Sequence, residues 1–242
     1  MRVAATELPL PTTSPPRRRR RAPPPVAAPR HTEVLSAILR PRVIACLRAQ
    51  DGETAMQAAH AAVRGGVTVL EIVMSTPRAL EVVEDLCRSY PSLTFGVGTV
   101  LNASDARKAI GAGAQFLMSP GTVMEIVHDL KESKVLYIPG VLTPTEVLSA
   151  CSAGAKVVKV YPVSVMGGEM YMSALKKPFP LLPMIASQGI KIGSIKGYME
   201  AGASAVVLSD AIFDKDLMRS GKFSEISKLA SLATSEALQS TK

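Results

Sequence analysis

Two apolar segments of the chain carry charged residues that would be unusual in a protein interior. Glu71 lies within Val67–Val73, and two lysines lie within Lys156–Tyr161. A buried carboxylate or amine is costly unless it is paired or takes part in a reaction. Burial favours the uncharged form of an amine, which is the form that attacks a carbonyl carbon, and a nearby carboxylate can move protons. The segments therefore predict either a buried ion pair or a lysine nucleophile with an acid-base partner.

The alternation of side chains along a strand decides which of these residues share one face of a sheet. Leu70 and Ile72 suit a face covered by helices, which turns Glu71 to the opposite face. Lys156 and Lys159 differ in parity, so only one of them can point to the interior. Parity alone does not decide which lysine that is.

Eight apolar runs that suit strands start near residues 43, 67, 93, 114, 135, 156, 183 and 204. Four of them follow small-residue segments typical of a helix end, at 65–66, 111–114, 153–155 and 201–203. A spacing of about 21 to 27 residues leaves room for one helix between neighbouring strands. We therefore predict an α/β fold with a parallel sheet that closes into a (β/α)8 TIM barrel. An open doubly wound sheet is the alternative architecture.

Polar residues follow several predicted strands, at the end where TIM barrels carry their catalytic groups. In strand order they are Arg48, Glu71 with Ser75, Thr99, Ser119-Pro120-Gly121, Lys159 with Tyr161, and Ser187. The sequence therefore predicts one pocket at the carboxyl-terminal end of the barrel.

The first 30 residues differ from the rest in charge and composition. They hold seven arginines against the single acid Glu7, and eight of the 18 prolines, so they supply +6 of the formal net charge of +8. Because such a segment buries little apolar surface, we predict that residues 1–30 are disordered and that residues 31–242 form the barrel domain. The Arg-rich, acid-poor composition is typical of an organelle transit peptide and favours a chloroplast location; a basic tail on a cytoplasmic protein is the alternative.

The remaining composition argues against several classes of partner. The barrel region carries only the remaining +2, and no aromatic residues are interleaved with Arg17–Arg21, so nucleic acid binding is not expected. Cys46, Cys87 and Cys151 are far apart, and the three histidines lack metal-ligand spacing, which predicts neither a disulfide framework nor a metal site. No run approaches the roughly 18 apolar residues of a membrane span.

Five motifs link these elements to a known family. They are Gly65–Glu71, Gly98–Asn102, Ser119–Gly121, Ile138–Gly140 with Thr143–Glu146, and Val158–Pro162. In their order they resemble the KDPG/KHG aldolases, which cleave 2-keto-3-deoxy-6-phosphogluconate (KDPG) to pyruvate and glyceraldehyde 3-phosphate, or 4-hydroxy-2-oxoglutarate (KHG) to pyruvate and glyoxylate. The resemblance covers Val34 to Phe213. It implies a class I lyase that acts on a small 2-keto acid without a metal or cofactor and that is a homotrimer.

The resemblance also implies roles for individual residues. Lys159 is implied as the lysine that forms the Schiff base, and Glu71 as the general acid-base. Thr99, Pro120 and Tyr161 are implied to line the pyruvate half of the pocket. Ser187 stands where the family usually has threonine, and it is expected to contact the substrate there.

One departure from the family concerns the substrate carboxylate. Ser75 stands where the family commonly has arginine, so one cation is missing. We expect Arg48 and the backbone amides after Pro120, at the start of the following helix, to take over part of that task.

A second departure lies after the last two strands, where the family has glycine-rich turns that bring backbone amides onto a phosphate. Here Gln188 and Leu208 are expected to crowd that approach, and Asp210 to repel a dianion. Two alternatives therefore stay open. One is a related pyruvate aldolase with an unphosphorylated acceptor, and the other is a non-catalytic barrel with a structural or regulatory role. The presence of both Lys159 and Glu71 argues against the second.

Overall fold

The computed structural model describes residues 31–130 and 133–240. The strands are β1 Val43–Leu47, β2 Val69–Val73, β3 Thr94–Gly98, β4 Phe116–Met118, β5 Leu136–Ile138, β6 Gly140–Val141, β7 Val158–Val160, β8 Met184–Ser187 and β9 Ala205–Leu208. The helices are α1 His31–Leu39, α2 Gly52–Arg64, α3 Ala79–Ser89, α4 Ala103–Gly111, α5 Met124–Asp129, α6 Pro144–Ser152, α7 Gly168–Lys176, α8 Ile195–Glu200, α9 Lys215–Arg219 and α10 Phe223–Gln239. Short 3₁₀ segments at Ser164–Met166 and Ile192–Ser194 follow β7 and β8.

All strand pairs are parallel, in the order β5-β4-β3-β2-β1-β9-β8-β7-β6. The two ends of this order, β5 and β6, are the halves of one barrel strand that are separated by Pro139. The first half pairs with β4 and the second with β7, and the Pro139 carbonyl accepts a hydrogen bond of 2.9 Å from the Lys159 amide. The sheet is therefore a closed barrel of eight strand units, and the open-sheet alternative is wrong.

The predicted strand positions agree with the observed ones. Each of the eight predicted starts lies within two residues of the first residue of a strand unit. The interruption at Pro139 was not predicted, and it follows from the missing N–H of proline, which cannot donate to a ladder. The prediction of a (β/α)8 TIM barrel is confirmed.

Polar caps specify the starts of α2, α4, α6 and α9. The Asp51 carboxylate accepts a 2.7 Å hydrogen bond from the Thr54 amide at the start of α2. The start of α6 carries a full capping box between Thr143 and Glu146. Such caps satisfy amides that have no partner within the helix, so these four helices begin at defined residues.

Two apolar layers form the core. The outer layer lies between strands and helices and contains Leu70 and Ile72, whereas the inner layer contains Ile44 and Val69. The predicted parity of β2 is therefore confirmed. Helix α1 adds Val34 and Ile38 to the inner layer and closes the amino-terminal end of the barrel. In the described ranges, α1 thus covers the amino-terminal end of the interior, and the carboxyl-terminal end is the one available to substrate.

Both ends of the chain lie outside the described residues. The predicted start of the barrel domain, residue 31, coincides with the first described residue, so this boundary stays a prediction. The prediction of a disordered segment over residues 1–30 lies outside the described residues, as do residues 131–132 and 241–242. Within the described ranges, no helix is long and apolar enough to cross a bilayer.

The contact between α10 and the end of α2 generates a stability prediction. A Cβ added at Gly65 would lie 2.3 Å from the Ser227 carbonyl oxygen and 2.6 Å from the Ala230 Cβ. Gly65→Ala must therefore displace α10, and we expect the free energy of unfolding to fall by about 1–3 kcal/mol, the usual cost of overpacking. Urea unfolding of the purified variant measures this change.

Gly111→Ala is the matched control, because nothing lies within 4 Å of the added Cβ and the residue ends α4. This control should be neutral or stabilising by up to about 1 kcal/mol. Equal effects of the two substitutions would contradict the packing of α10 against Gly65.

Candidate active site

A cavity of about 700 Å³ lies at the carboxyl-terminal ends of the strands. The seven residues selected from the sequence all line it: Arg48, Glu71, Thr99, Pro120, Lys159, Tyr161 and Ser187. Ser75 is exposed and does not line it. The closed barrel thus brings together residues from six strand units that are up to 139 positions apart, from Arg48 to Ser187.

Lys159 is the lysine that points to the interior. It is 5% exposed, whereas Lys156 is exposed and lines a different cavity, with His31 of α1 at the amino-terminal end of the barrel. The Lys159 Nζ lies 5.2 Å from the centroid of the Tyr161 ring. The ring therefore forms one wall around the amine, and its face is favourable for a cationic state of that nitrogen.

Glu71 is 2% exposed, and its Oε2 atom has no hydrogen-bond partner among the described residues. Its side chain lies against Gly98 of the neighbouring strand β3, where an added Cβ would be 1.5 Å from Oε1. Glycine at this position therefore makes room for the carboxylate. A buried polar atom without a partner is unusual in a folded protein and is typical of a reactive site.

The carboxylate and the amine share the cavity without a direct ion pair. Within the described residues, no salt bridge of 4.0 Å or less joins Glu71 to Lys159. Of the two interpretations that the sequence left open, the structure excludes the buried ion pair. The space between the groups is available to a substrate or to water.

Cys46 is a third cavity residue beside this pair, and it was not among the predicted site residues. It is the register partner of Glu71 in the β1–β2 ladder. Burial raises the pKa of the Cys46 thiol well above its usual value, the negative charge of Glu71 raises this pKa further, and the positive charge of Lys159 acts in the opposite direction. The parity of Cys46, which matches that of inward-facing Ile44, was the signal that could have identified it.

The loops after β3 and β4 form another wall. Thr99 adopts a positive φ of 57°, which is uncommon for a β-branched residue and is found mainly at functional sites. The Ser119 hydroxyl donates a 2.5 Å hydrogen bond to the Val100 carbonyl and connects the two loops. A Cβ added at Gly140 would lie 2.1 Å from the Pro120 carbonyl oxygen, so glycine allows the Pro120 loop to approach Lys159, the register partner of Gly140.

Exposed charges surround the cavity opening. Arg48 and Lys191 are cations on opposite sides of β9, and Asp210 follows that strand; all three line the cavity. Arg48 also lines a smaller cavity of about 260 Å³ with Lys215 and Arg219. The opening therefore offers two cations and one anion to an incoming substrate.

Two sequence predictions about this region are wrong. Leu208 does not crowd the opening, because strand alternation places its side chain in the outer core layer, and its neighbours Val207 and Ser209 line the cavity instead. Pro120 is not followed directly by a helix, since α5 begins only at Met124. The amides after Pro120 therefore belong to a turn and not to a helix amino terminus.

The ranges 31–130 and 133–240 contain no group of three or more His, Cys, Asp or Glu residues that is arranged to hold a metal ion. Below the charges at the opening, the cavity is lined by the Lys159 amine, the Glu71 carboxylate, the Cys46 thiol and several hydroxyl groups. An amine and a carboxylate in one cavity are the groups that imine and enamine chemistry requires.

Comparison with known proteins agrees with this arrangement. The family model for KDPG and KHG aldolase matches residues 34–229. The 2-dehydro-3-deoxy-phosphogluconate aldolase of Treponema pallidum is 30% identical over 203 residues, which are 81% of this chain and 94% of the relative. The KHG/KDPG aldolase of Escherichia coli K12 is 29% identical over 178 residues, which are 74% of this chain and 84% of the relative.

A solved structure gives the same result. The KDPG aldolase of Legionella pneumophila, captured with pyruvate as a covalent carbinolamine, superposes with a TM-score of 0.76 at 26% identity. The superposition covers 82% of this chain and 96% of that chain.

The raised pKa of Cys46 predicts slow alkylation of its thiol. In a Cys87→Ser/Cys151→Ser background, iodoacetamide at pH 8 should modify Cys46 about tenfold or more slowly than an unstructured cysteine peptide, because only the thiolate reacts. The rate should still rise as the pH increases above 8. Mass spectrometry follows the reaction.

Glu71→Gln tests the electrostatic part of this shift. Removal of the negative charge should lower the pKa of Cys46 and accelerate its alkylation severalfold, roughly by the tenfold that corresponds to one pKa unit at most. An unchanged rate in Glu71→Gln would contradict the proximity of thiol and carboxylate.

Proposed function

Because the chain belongs to the KDPG and KHG aldolase family and is an aldehyde-lyase, we propose that its substrates are 2-keto-3-deoxy-6-phosphogluconate, 4-hydroxy-2-oxoglutarate or both. The products are then pyruvate with glyceraldehyde 3-phosphate or with glyoxylate. The observation that carries this proposal is the joint burial of Lys159 and Glu71 in one cavity without an ion pair between them.

Lys159 acts in this proposal as the nucleophile. Its uncharged amine adds to the C2 ketone, and loss of water gives a protonated imine. Removal of the proton from the C4 hydroxyl then allows the C3–C4 bond to break, and its electron pair moves into the imine. The aldehyde leaves, and an enamine of pyruvate remains on the lysine. Protonation of the enamine carbon and hydrolysis by water release pyruvate and restore the free amine.

Glu71 acts as the proton carrier in these steps. Its Oε2 atom has no protein partner among the described residues, so it is available to a water molecule or to the substrate. One carboxylate serves successive steps because it accepts a proton from a hydroxyl group or a water molecule and then donates that proton to the group that needs it in the next step. The absence of a side chain at Gly98 leaves the space against β3 that the carboxylate occupies beside the cavity.

The remaining predicted residues bind the ketone half of the substrate. Thr99 and the segment at Pro120 line the same cavity as Lys159 and offer polar backbone groups to the carboxylate of pyruvate. The Tyr161 ring covers the Lys159 amine. Ser187 offers a buried hydroxyl from β8, the strand that pairs with β7. Arg48 supplies the positive charge that Ser75 lacks, and it acts from the opening of the cavity.

The alternative of a non-catalytic barrel has no structural feature in its favour. Such a barrel needs neither a cavity of about 700 Å³ nor a buried carboxylate oxygen that has no hydrogen-bond partner among the described residues, and both are costly to maintain. The alternative of an unphosphorylated acceptor concerns the choice of substrate within the same chemistry. Asp210 at the opening is the observation that favours it.

The assembly proposed for the chain is a homotrimer. Three exposed apolar residues support an interface next to the site, namely Val165, Met166 and Met170, which are 68%, 45% and 84% exposed. Exposed apolar patches of this kind mark contacts between subunits. Light scattering of the purified protein measures its mass, and a monomer at micromolar concentration would contradict the proposal.

The location proposed for the chain is the chloroplast. The support is compositional, since the family match begins at residue 34 and the Arg-rich, acid-poor residues 1–30 precede it. Fusion of residues 1–30 to a fluorescent protein tests this proposal, and a diffuse cytosolic signal would reject it.

Glu71→Gln tests the proposed proton transfer. The variant should still form the imine with pyruvate, so that borohydride traps a reduced adduct, but exchange of the pyruvate methyl protons should slow by about 10²-fold or more. Proton NMR in D₂O measures the exchange. Glu125→Gln, at an exposed position of α5, is the control and should exchange at the wild-type rate. Wild-type exchange in Glu71→Gln would assign proton transfer to another group.

The cavity opening also predicts the substrate preference. Asp210 opposes a phosphate dianion by on the order of 1 kcal/mol near a surface, which offsets part of its attraction to Arg48 and Lys191 at the same opening. We expect kcat/KM values for KDPG and KHG to agree within about tenfold. Asp210→Asn should raise the value for KDPG more than that for KHG. Pyruvate release, coupled to lactate dehydrogenase, measures both, and a thousandfold preference for KDPG would contradict this prediction.

A further inference from the structure

The loop that follows β8 contains a strained residue at the cavity. Gln188 adopts a φ of 88°, a left-handed backbone conformation that residues other than glycine, asparagine and aspartate rarely adopt. It follows directly on Ser187 and lines the cavity. Strain of this kind persists only where surrounding contacts hold the residue, and it is concentrated at functional sites.

The contact that holds Gln188 comes from the loop after β7. The Ser164 hydroxyl donates a 2.6 Å hydrogen bond to the Gln188 Oε1 across 24 residues of sequence. A backbone hydrogen bond of 3.0 Å from the Val163 amide to the Ser187 carbonyl joins the same two loops. Both loops follow strands that contribute to the site, so the position of the Gln188 side chain is set relative to Lys159 on β7.

Gly189 makes this arrangement possible. A Cβ at this position would lie 2.1 Å from the Ser164 Oγ, so any other residue would push the hydroxyl away from Gln188. We call the contact between the Ser164 hydroxyl and the Gln188 amide the amide latch. Because Oε1 is the acceptor in the latch, the orientation of the amide is fixed and its Nε2 group keeps two N–H donors.

The surroundings indicate what these donors bind. Gln188 lies between the buried Ser187 and the exposed Lys191, both of which line the cavity, and Asp210 lines it from the next strand. An uncharged amide beside one cation and one carboxylate suits an oxygen that carries a single charge or none. Hydroxyl and carboxylate oxygens meet this description, and they would lie on the aldehyde half of a substrate whose ketone is bound to Lys159.

We propose that Gln188, fixed by Ser164, determines the specificity for the aldehyde half of the substrate by donating N–H hydrogen bonds to an oxygen on the carbon next to the aldehyde. The preferred acceptors are then α-oxygenated aldehydes, in which that carbon carries a hydroxyl group or is itself the carbon of a carboxylate. This inference rests on the proposed aldolase function and adds a recognition group to it.

The test runs the reaction toward synthesis, with pyruvate and one of three aldehydes. Glyoxylate carries a carboxylate next to the aldehyde, glycolaldehyde carries a hydroxyl, and propanal carries neither. Two variants break the amide latch in different ways. Ser164→Ala removes the donor, and Gln188→Asn keeps an amide and tolerates the positive φ but is one methylene too short to reach Ser164.

In both variants kcat/KM should fall about tenfold for glyoxylate and glycolaldehyde, and by less than about twofold for propanal. The double variant should lose no more than either single variant, because the two side chains act as one unit. Ser152→Ala, an exposed serine at the end of α6, is the control and should leave all three values unchanged.

The outcomes separate this inference from the aldolase proposal. Equal losses for all three aldehydes would indicate a general distortion of the site and would overturn the specificity role. Unchanged kcat/KM values for all three aldehydes would overturn it as well. Borohydride trapping of pyruvate reports on the ketone half alone; if the wild-type protein traps no pyruvate, the proposed function itself fails, whatever the variants do.

Discussion

The burial of an amine and a carboxylate in one apolar interior, without a direct ion pair, is the constraint on which the rest of this structure depends. Each group would lose several kcal/mol of hydration in a dry interior. The barrel limits this cost by placing Lys159 and Glu71 on the carboxyl-terminal side of an otherwise apolar inner layer. Helix α1 seals the other end. The unpaired state persists because the closed sheet specifies the positions of both strands independently.

The space around the two groups depends on positions without side chains. Gly98 admits the Glu71 carboxylate, Gly140 admits the Pro120 turn, and Gly189 admits the Ser164 hydroxyl. All three lie at the same end of the barrel as the cavity, and in each case an added Cβ would meet a neighbouring atom at 2.1 Å or less. The cavity is therefore shaped by close backbone approaches between loops as much as by the side chains that line it.

Much of this architecture could be predicted from the sequence because parallel strands have a strong local signal. The apolar runs located every strand unit, and the parity of Leu70 and Ile72 correctly turned Glu71 inward. What parity left open was the choice between Lys156 and Lys159. The structure resolves it because β7 begins only at Val158, which leaves Lys156 outside the strand and exposed.

The errors have physical reasons as well. Leu208 was expected at the opening because it occupies a loop position in the family pattern, but it is the last residue of β9 and follows the strand alternation into the outer core. The contact between Ser164 and Gln188 could not be predicted from the sequence because it joins two loops and depends on a positive φ.

The central claim, that the inward lysine is the nucleophile, is tested most directly by treating the protein with pyruvate and borohydride and locating the reduced adduct by peptide mass spectrometry. The account predicts one adduct, on the peptide that carries Lys159, and its loss in Lys159→Arg. An adduct on Lys156, or none, would contradict it.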